Sequence, residues 1–385
     1  MEQLVTSEFK LGIIAGGQLG KLLALAASNW DVKTYILDND EHCPASTVCT
    51  KFVKGNPTDF NSVYQFGKMV DMLTFEMENI NIDALLKLKE EGKIINPDPD
   101  ILKIVQDKGL QKELYKNNNI PTSPYNIFES KDEILKKIES GSLKIPFVQK
   151  LRKGGYDGRG VAVIRNSEDI QKLLDGPSVV ENYVDVQKEI SVIVARNKNG
   201  EVKSFPVVEM EFNKDKHLVE ELICPASIEE NIAERATEIA CNLISDFKLC
   251  GLLAVEMFID NENNLLVNEI APRPHNSGHH TIESIITSQY EQMLRAIFNF
   301  PLGDTHIKKP SVMLNLLGEP GFEGKVKYEG LTECMKIDGV KIHLYGKKFT
   351  KPYRKMGHIT ILASSIDEAK LKAEIVKQNI KVKSW

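Results

Sequence analysis

Near the start of the chain an apolar run at residues 11–14 leads into the glycine pair Gly16 and Gly17, a helical pattern at 19–27 and a second apolar run at 33–38. Strand, tight turn, helix and strand in that order make a βαβ unit, which commits this part of the chain to a parallel sheet with a right-handed crossover. A further strand is expected at 70–76, with Glu76 and Glu78 at its C-terminal end, where ligands collect in open α/β sheets. Those two carboxylates read equally well as a solvated strand end. After Pro97 and Pro99 a helix is expected over 101–117, and Pro121 and Pro124 then break the chain. The first domain is therefore expected to be an α/β unit over 1–120.

A second feature lies further on. Gly154-Gly155-Tyr156-Asp157-Gly158-Arg159-Gly160 places four glycines in seven positions between apolar runs at 146–148 and 161–164. The flanks read as strands, so the loop is expected at a hairpin tip, able to lay its backbone N–H groups against phosphate. Arg159 and the upstream Lys150 supply cationic charge for an anion. An ordinary flexible glycine turn is the plainer alternative. This loop opens a domain expected over 121–305, with a small lobe at 122–185, followed by a C-terminal domain over 306–385 that carries strands and an amphipathic helix at 366–378.

At 385 residues the chain has room for two or three domains at roughly 100–200 residues each. Its net charge of −5 argues against general nucleic-acid binding, so any phosphate site must gather its cations locally. The six cysteines contain no C-x-x-C pair, which points away from zinc and disulfides and towards a reducing compartment. Without a signal-peptide pattern or an apolar run of membrane length, a cytoplasmic protein with no membrane association is expected.

Three more constellations bear on chemistry. With a hairpin centred between Glu262 and Asn263, Glu256 stands directly opposite Glu269, while Leu253, Val255, Met257 and Ile259 share the other face. Opposed like charges are destabilising unless a cation such as Mg²⁺ joins them. A register shift of one residue would instead separate them. Shortly after Glu269, residues 272–280 hold Arg273, His275, Asn276, Ser277, His279 and His280 in a stretch stiffened by Pro272 and Pro274, which reads as a substrate loop, with a three-histidine zinc site as the alternative. Finally, Lys347, Lys348, Lys351, Arg354 and Lys355 form a cluster free of acids, either an anion site or a solvated basic loop. The turn at 15–20, with Asp38 downstream, is also close to a dinucleotide fingerprint, which keeps an NAD-dependent dehydrogenase as a rival.

In order along the chain, G-G-Q-L-G, T-F-E-M-E-N, Q-D-K, G-G-Y-D-G-R-G, N-E-I-A-P-R-P-H-N-S-G-H, M-L-N-L-L-G, Y-G-K and R-K-M-G-H resemble the N5-carboxyaminoimidazole ribonucleotide synthases of purine biosynthesis. The likeness implies an ATP-grasp fold with an N-terminal pre-ATP-grasp domain and a small C-terminal domain. It also implies an ATP-dependent ligase that joins bicarbonate to the amine of 5-aminoimidazole ribonucleotide through carboxyphosphate, as a homodimer using Mg²⁺. By position, Lys108, Lys150 and the loop from Gly154 through Gly155, Tyr156, Asp157, Gly158 and Arg159 to Gly160 would hold ATP phosphates. Glu181, Asn182, Tyr183 and Val184 would receive adenine and Glu189 the ribose, while Glu256 and Glu269 would hold Mg²⁺ beside Asn268. Glu76, Tyr156, Asp157, Arg159, Arg273, His275, Asn276, Ser277, Lys347, Arg354 and Lys355 would face the ribonucleotide and bicarbonate. Among these, Asp157, Arg159, Arg273 and His275 are expected nearest the chemistry, with Asp157 the candidate for orienting the amine or accepting its proton.

The chain departs from the family pattern at two points. Phe212 stands where a histidine is expected, with His217 the nearest substitute, and Lys108 stands where many relatives carry arginine, keeping the charge but losing the bidentate fork. Another ATP-grasp ligase joining a carboxylate to an amine is the nearest alternative function.

Overall fold

A computed structural model describes residues 7–155, 160–212 and 219–385. Five strands form a parallel sheet in the order Lys51–Lys54, Lys33–Asp38, Lys10–Ile14, Met72–Phe75, Ile94–Ile95, with helix Gln18–Ser28 crossing between the first two strands in sequence. Leu11, Ile13, Leu23 and Ile36 are buried on one side of this sheet and Ile14, Leu37, Phe66 and Phe75 on the other, as expected for strands covered on both faces.

The helix expected over 101–117 is two helices, Pro99–Val105 and Lys108–Asn117. The break is chemical. Asp107 leaves helical geometry and its carboxylate accepts the free N–H groups of Gly109 and Leu110 as an N-cap, while Arg152 grips both its oxygens at 2.9 Å. Lys108 and Lys112 thereby fall one turn apart on the same helix face.

The glycine loop does join two antiparallel strands, Phe147–Leu151 and Val161–Ile164, in a four-stranded sheet with Ser178–Asn182 and Tyr125–Phe128. Its tip, Tyr156 to Arg159, lies outside the described residues, but Gly154 and Gly160 at its ends have φ of +77° and +73°, a region glycine enters without steric cost.

A nine-stranded, largely antiparallel sheet forms the centre of the molecule. It starts at Leu265–Ala271 and Gly251–Asp260, runs through Val186–Arg196, Val208–Phe212 and Val219–Cys224, and continues without interruption into Ser311–Leu317, Lys355–Leu362 and Val340–Leu344. Three strands after residue 306 thus extend the central sheet, while Gly324–Glu329, Phe349–Thr350 and Lys381–Ser384 form a separate three-stranded sheet. Helix Glu230–Asp246 packs on one face, burying Ile190, Val192, Leu253, Val255 and Met257. Helix Ile366–Asn379 covers the C-terminal strands through Ala369, Ala373 and Val376.

Candidate functional site

The open face of the central sheet gathers the acids. Glu256 pairs with Glu269 across the hairpin and with Ser191 on its other neighbour, so that it faces away from the helix-covered core. The route to that pairing differs from the expected one. Asp260 closes on Asn264 over a three-residue loop with Asn263 at φ +62°, which alone would put the register one residue off. A bulge between Val267 and Glu269 restores it. Val267 and Ile270 both enter the helix-covered core, so the two residues between them, Asn268 and Glu269, project together into the cleft. Strict alternation would have sent one of them inward.

Cations meet these oxygens. Lys108 Nζ donates to Glu269 at 2.8 Å, and Lys150 donates to Asn268 Oδ1 at 2.7 Å and to Glu181 at 3.0 Å. Lys112, which sequence reasoning missed, is buried and pairs with the other oxygen of Glu181 at 3.1 Å. Its position one turn after Lys108 was the available signal. Lys108 holds the Glu269 carboxyl well below the usual range, whereas burial, followed by the charge of Glu269, pushes Glu256 up. Burial also raises Glu189, two residues from Ser191 on the same cleft face, to about 7.

Among the described residues no group of three or more His, Cys, Asp or Glu side chains forms a complete metal cage. Two opposed carboxylates nevertheless match what Mg²⁺ takes from protein when phosphate oxygens fill its remaining positions. Glu256 and Glu269 fit that demand, with Lys108 supplying a countercharge to the latter.

The loop after Glu269 forms the next wall. Arg273 donates to Glu78 Oε1 at 2.7 Å, which fixes the guanidinium. His275 Nε2 lies 3.3 Å from Glu256, and its Nδ1 lies 2.9 Å from the Ser277 hydroxyl, itself 2.9 Å from Ser191. Burial lowers the His275 pKa to about 3, so the ring is neutral. Ser277 is buried behind His275 and holds it. Asn276 reaches His279 Nε2 at 3.1 Å, and the Nδ1 of that ring meets Tyr290 at 2.8 Å, so both ring nitrogens are engaged by protein groups, contrary to the zinc alternative.

Glu76 is buried under the first helix, where Gly17 N–H and Gly20 N–H donate to its two oxygens at 2.6 and 2.7 Å. Gly16 N–H donates to Asp38 at 2.7 Å. Carboxylates thus already occupy the amides that a dinucleotide pyrophosphate would need, which removes the dehydrogenase reading. A side chain on Gly17 would bring its Cβ within 2.4 Å of Glu76 Oε1, so a larger residue here would displace the carboxylate from these amides. Burial pushes Glu76 up to about 7.

The same helix reaches the basic segment. Lys347 Nζ donates to Gln18 Oε1 at 3.2 Å and to the Lys355 carbonyl at 2.7 Å, while Lys21 donates to the carbonyls of Leu344 and Tyr345 at 3.0 and 3.2 Å. Lys355 is close enough to His275 to help keep that ring neutral. Arg354 donates to the Phe349 carbonyl at 2.7 Å on the outer side of the segment.

Asn182 ends its strand at the cleft rim, its carbonyl held by Ser123 at 2.8 Å, and Tyr183 next to it is partly exposed with Arg165 over its ring. Phe212 ends the strand Val208–Phe212, and His217 lies outside the described residues.

Comparison with known proteins identifies the family and the fold. The ribonucleotide synthetase preATP-grasp domain matches residues 9–106, the ATP-grasp domain 113–290 and the phosphoribosylaminoimidazole carboxylase C-terminal domain 311–372. The N5-carboxyaminoimidazole ribonucleotide synthase of Bacillus subtilis is 36% identical over 371 residues, covering 95% of each chain. Of longer phosphoribosylaminoimidazole carboxylases that are also similar, this chain spans 65%. The crystal structure of the Thermotoga maritima synthetase superposes with a TM-score of 0.90 at 41% identity, over 98% of this chain and 100% of that one. The Aspergillus clavatus synthase in complex with ADP and 5-aminoimidazole ribonucleotide gives 0.87 at 30% identity, over 97% and 98%. The chain belongs to the N5-carboxyaminoimidazole ribonucleotide synthase family of ATP-grasp proteins.

Proposed function

We propose that this protein uses ATP to carboxylate the exocyclic amine of 5-aminoimidazole ribonucleotide with bicarbonate, releasing ADP and phosphate, in purine biosynthesis. The observation that carries the reading is the bulged hairpin. It sets Asn268 and Glu269 beside Glu256 on one open face, with Lys108 and Lys150 against them and Arg273 and His275 on the adjoining wall. A dense set of fixed charges of both signs is what phosphoryl transfer needs, since its catalysis is chiefly positioning and charge stabilisation.

In the first step a bicarbonate oxygen attacks the γ-phosphorus, the bond to the β,γ-bridging oxygen breaks with its electron pair leaving on ADP, and carboxyphosphate forms. Lys108, Lys150 and the glycine loop hold the phosphates, with Glu181 to Val184 around adenine and Glu189 at the ribose. Glu256 and Glu269 would hold Mg²⁺, which would supply charge neutralisation to the phosphate oxygens. In the second step the amine nitrogen bonds to the carboxyl carbon, the C–O bond to phosphate breaks, and the amine loses a proton, for which Asp157 is the candidate acceptor. Arg273, held by Glu78, and the neutral His275 orient the carboxyl group, with Arg159 a further candidate cation for it. Carboxyphosphate hydrolyses readily, so the lobe at 122–185 serves to exclude water.

The 5′-phosphate belongs to Lys347, Arg354 and Lys355, with Glu76 and Asn276 towards the base. The same reading takes the domains as 1–120, 121–305 and 306–385 and the working form as a cytoplasmic homodimer. No helix among the described residues is long and apolar enough to cross a membrane. The test is ATP hydrolysis with bicarbonate and the ribonucleotide each present or omitted. Phosphate release that requires both supports the reading, and release indifferent to the ribonucleotide overturns it.

A further inference from the structure

Three imidazoles stack at the junction between the substrate loop and the C-terminal strands. His358 is the middle ring, lying 4.4 Å from His279 with an interplanar angle of 2° and 4.5 Å from His343 at 14°. His279 comes from the loop after Arg273, whereas His343 and His358 are directly paired across neighbouring strands. The loop and the short helix Thr281–Ser284 that follows it grip the stack at both ends. His279 is the loop's contribution at one end, and at the other Glu283 accepts from His343 Nε2 at 2.7 Å. The middle ring is tied to a third element, since His358 Nδ1 lies 3.0 Å from the hydroxyl of the buried Tyr345.

The column touches both the substrate loop, through His279, and the basic segment, through His358 and Tyr345. His279 Nε2 holds the Asn276 side chain at 3.1 Å, and Tyr345 immediately precedes Gly346, at φ +85°, and Lys347. Burial keeps the His279 and His358 rings well below their usual pKa, so both are neutral and stack without charge repulsion. Flat rings in register resist sliding better than aliphatic packing, because aromatic contacts have preferred geometry. The proposed chemistry uses none of these groups, yet a polar column this deep is costly unless it fixes something.

We propose that His279 and His358, with Tyr345, are positioning residues that set the spacing between Asn276 on the substrate loop and Lys347 on the basic segment, and so the fit of the ribonucleotide. The inference rests on the ribonucleotide site described above. It is tested with His358→Phe, which keeps a flat ring and loses the Tyr345 contact, and with Tyr345→Phe, which removes one oxygen and no packing. Each is followed by separate KM values for ATP and ribonucleotide and by a melting curve. Losing one buried hydrogen bond of the column should raise the ribonucleotide KM about tenfold, with the ATP KM unchanged. A purely structural role would shift both KM values together or lower only the amount of folded enzyme, and either result overturns the proposal. If His358→Phe does not fold, Tyr345→Phe decides alone. Arg354→Ala and Lys355→Ala separate the two levels of inference. If they leave the ribonucleotide KM unmoved, the site itself is misassigned; if they raise it while the column variants are silent, only the positioning role fails.

Discussion

Glu181 is the carboxylate on which the nucleotide side of the cleft most depends, because two ammonium groups share it. Lys112 lies at 3.1 Å and Lys150 at 3.0 Å, and the three side chains are 3%, 13% and 5% exposed for Lys112, Lys150 and Glu181. Burial alone would raise the Glu181 carboxyl, but Lys150 and Lys112 together hold it below its usual pKa. The balance is different for Lys112, which burial and the second cation push down to about 8. Removing the acid and removing one lysine should therefore have unequal costs. Glu181→Gln strands two ammonium groups beside each other, and breaking a buried pair costs about 3–5 kcal/mol. Lys150 keeps Asn268 and Lys112 keeps the Thr122 hydroxyl, which places this case near the lower end. Lys112→Met removes the cation that burial already disfavours and leaves Glu181 paired with Lys150, so its cost should be about 1 kcal/mol or less. The double variant should melt above Glu181→Gln alone, since the second stranded charge is gone. Thermal midpoints of the nucleotide-free proteins test the ranking. Lys112→Met as damaging as Glu181→Gln, or a double variant equal to the sum of the singles, would refute the shared-carboxylate account.

The same residue gives a pH dependence with a definite sign. The folded pKa of Lys112, about 8, is below its ordinary value of 10.5, so between those limits the unfolded chain binds more protons and stability rises with pH. Below the window the burial penalty is constant, on the order of 3 kcal/mol at most. The midpoint of the wild type should therefore gain on that of Lys112→Met from pH 8 to 10, and a constant difference would show that Lys112 is not the strained cation. Glu256→Gln should abolish most turnover and the Mg²⁺ dependence of ATP hydrolysis while the fold survives, because the change relieves a facing pair of like charges, and Glu269→Gln should do the same to turnover at some cost in stability, because it strips Lys108 of its partner; near-normal activity in both would displace the metal site. Gly160→Val places a β-branched residue at φ +73° with its Cβ 3.2 Å from Gly155 Cα, so ATP affinity should fall, with ribonucleotide binding measured without ATP altered less. Arg354→Ala and Lys355→Ala should each weaken ribonucleotide binding roughly ten- to a hundredfold, the effect of one charge-assisted contact of about 1.5–3 kcal/mol. Lys351→Ala is the control in those kinetics, and an equal effect from it would make the segment a basic loop only.

Much of this protein was legible in its sequence because the signals are local. The βαβ start at 10–38, the hairpin flanking the glycine loop and the last helix follow from apolar periodicity and turn residues a few positions apart. The motif order identifies the family for the same reason, since each motif is a short run whose chemistry depends on neighbours in the chain. Tertiary structure decided whatever depends on partners far away. The Glu256–Glu269 pair was expected from a symmetrical hairpin, yet it exists because a three-residue loop and a bulge at Asn268 cancel each other's register shift. No pattern of alternation reveals a compensation of that kind. The break at Asp107 depends on Arg152, 45 residues away, and the closure of the first glycine turn on Glu76, 56 and 59 residues away. Lys112 shared a helix face with Lys108 in the sequence, but only Glu181, arriving opposite it from the strand Ser178–Asn182, gave it a partner. The histidine column is the extreme case, for its rings come from three separate segments. Sequence sets which groups are available within a turn or a strand; only folding brings a distant partner close enough to fix a side chain's charge and direction.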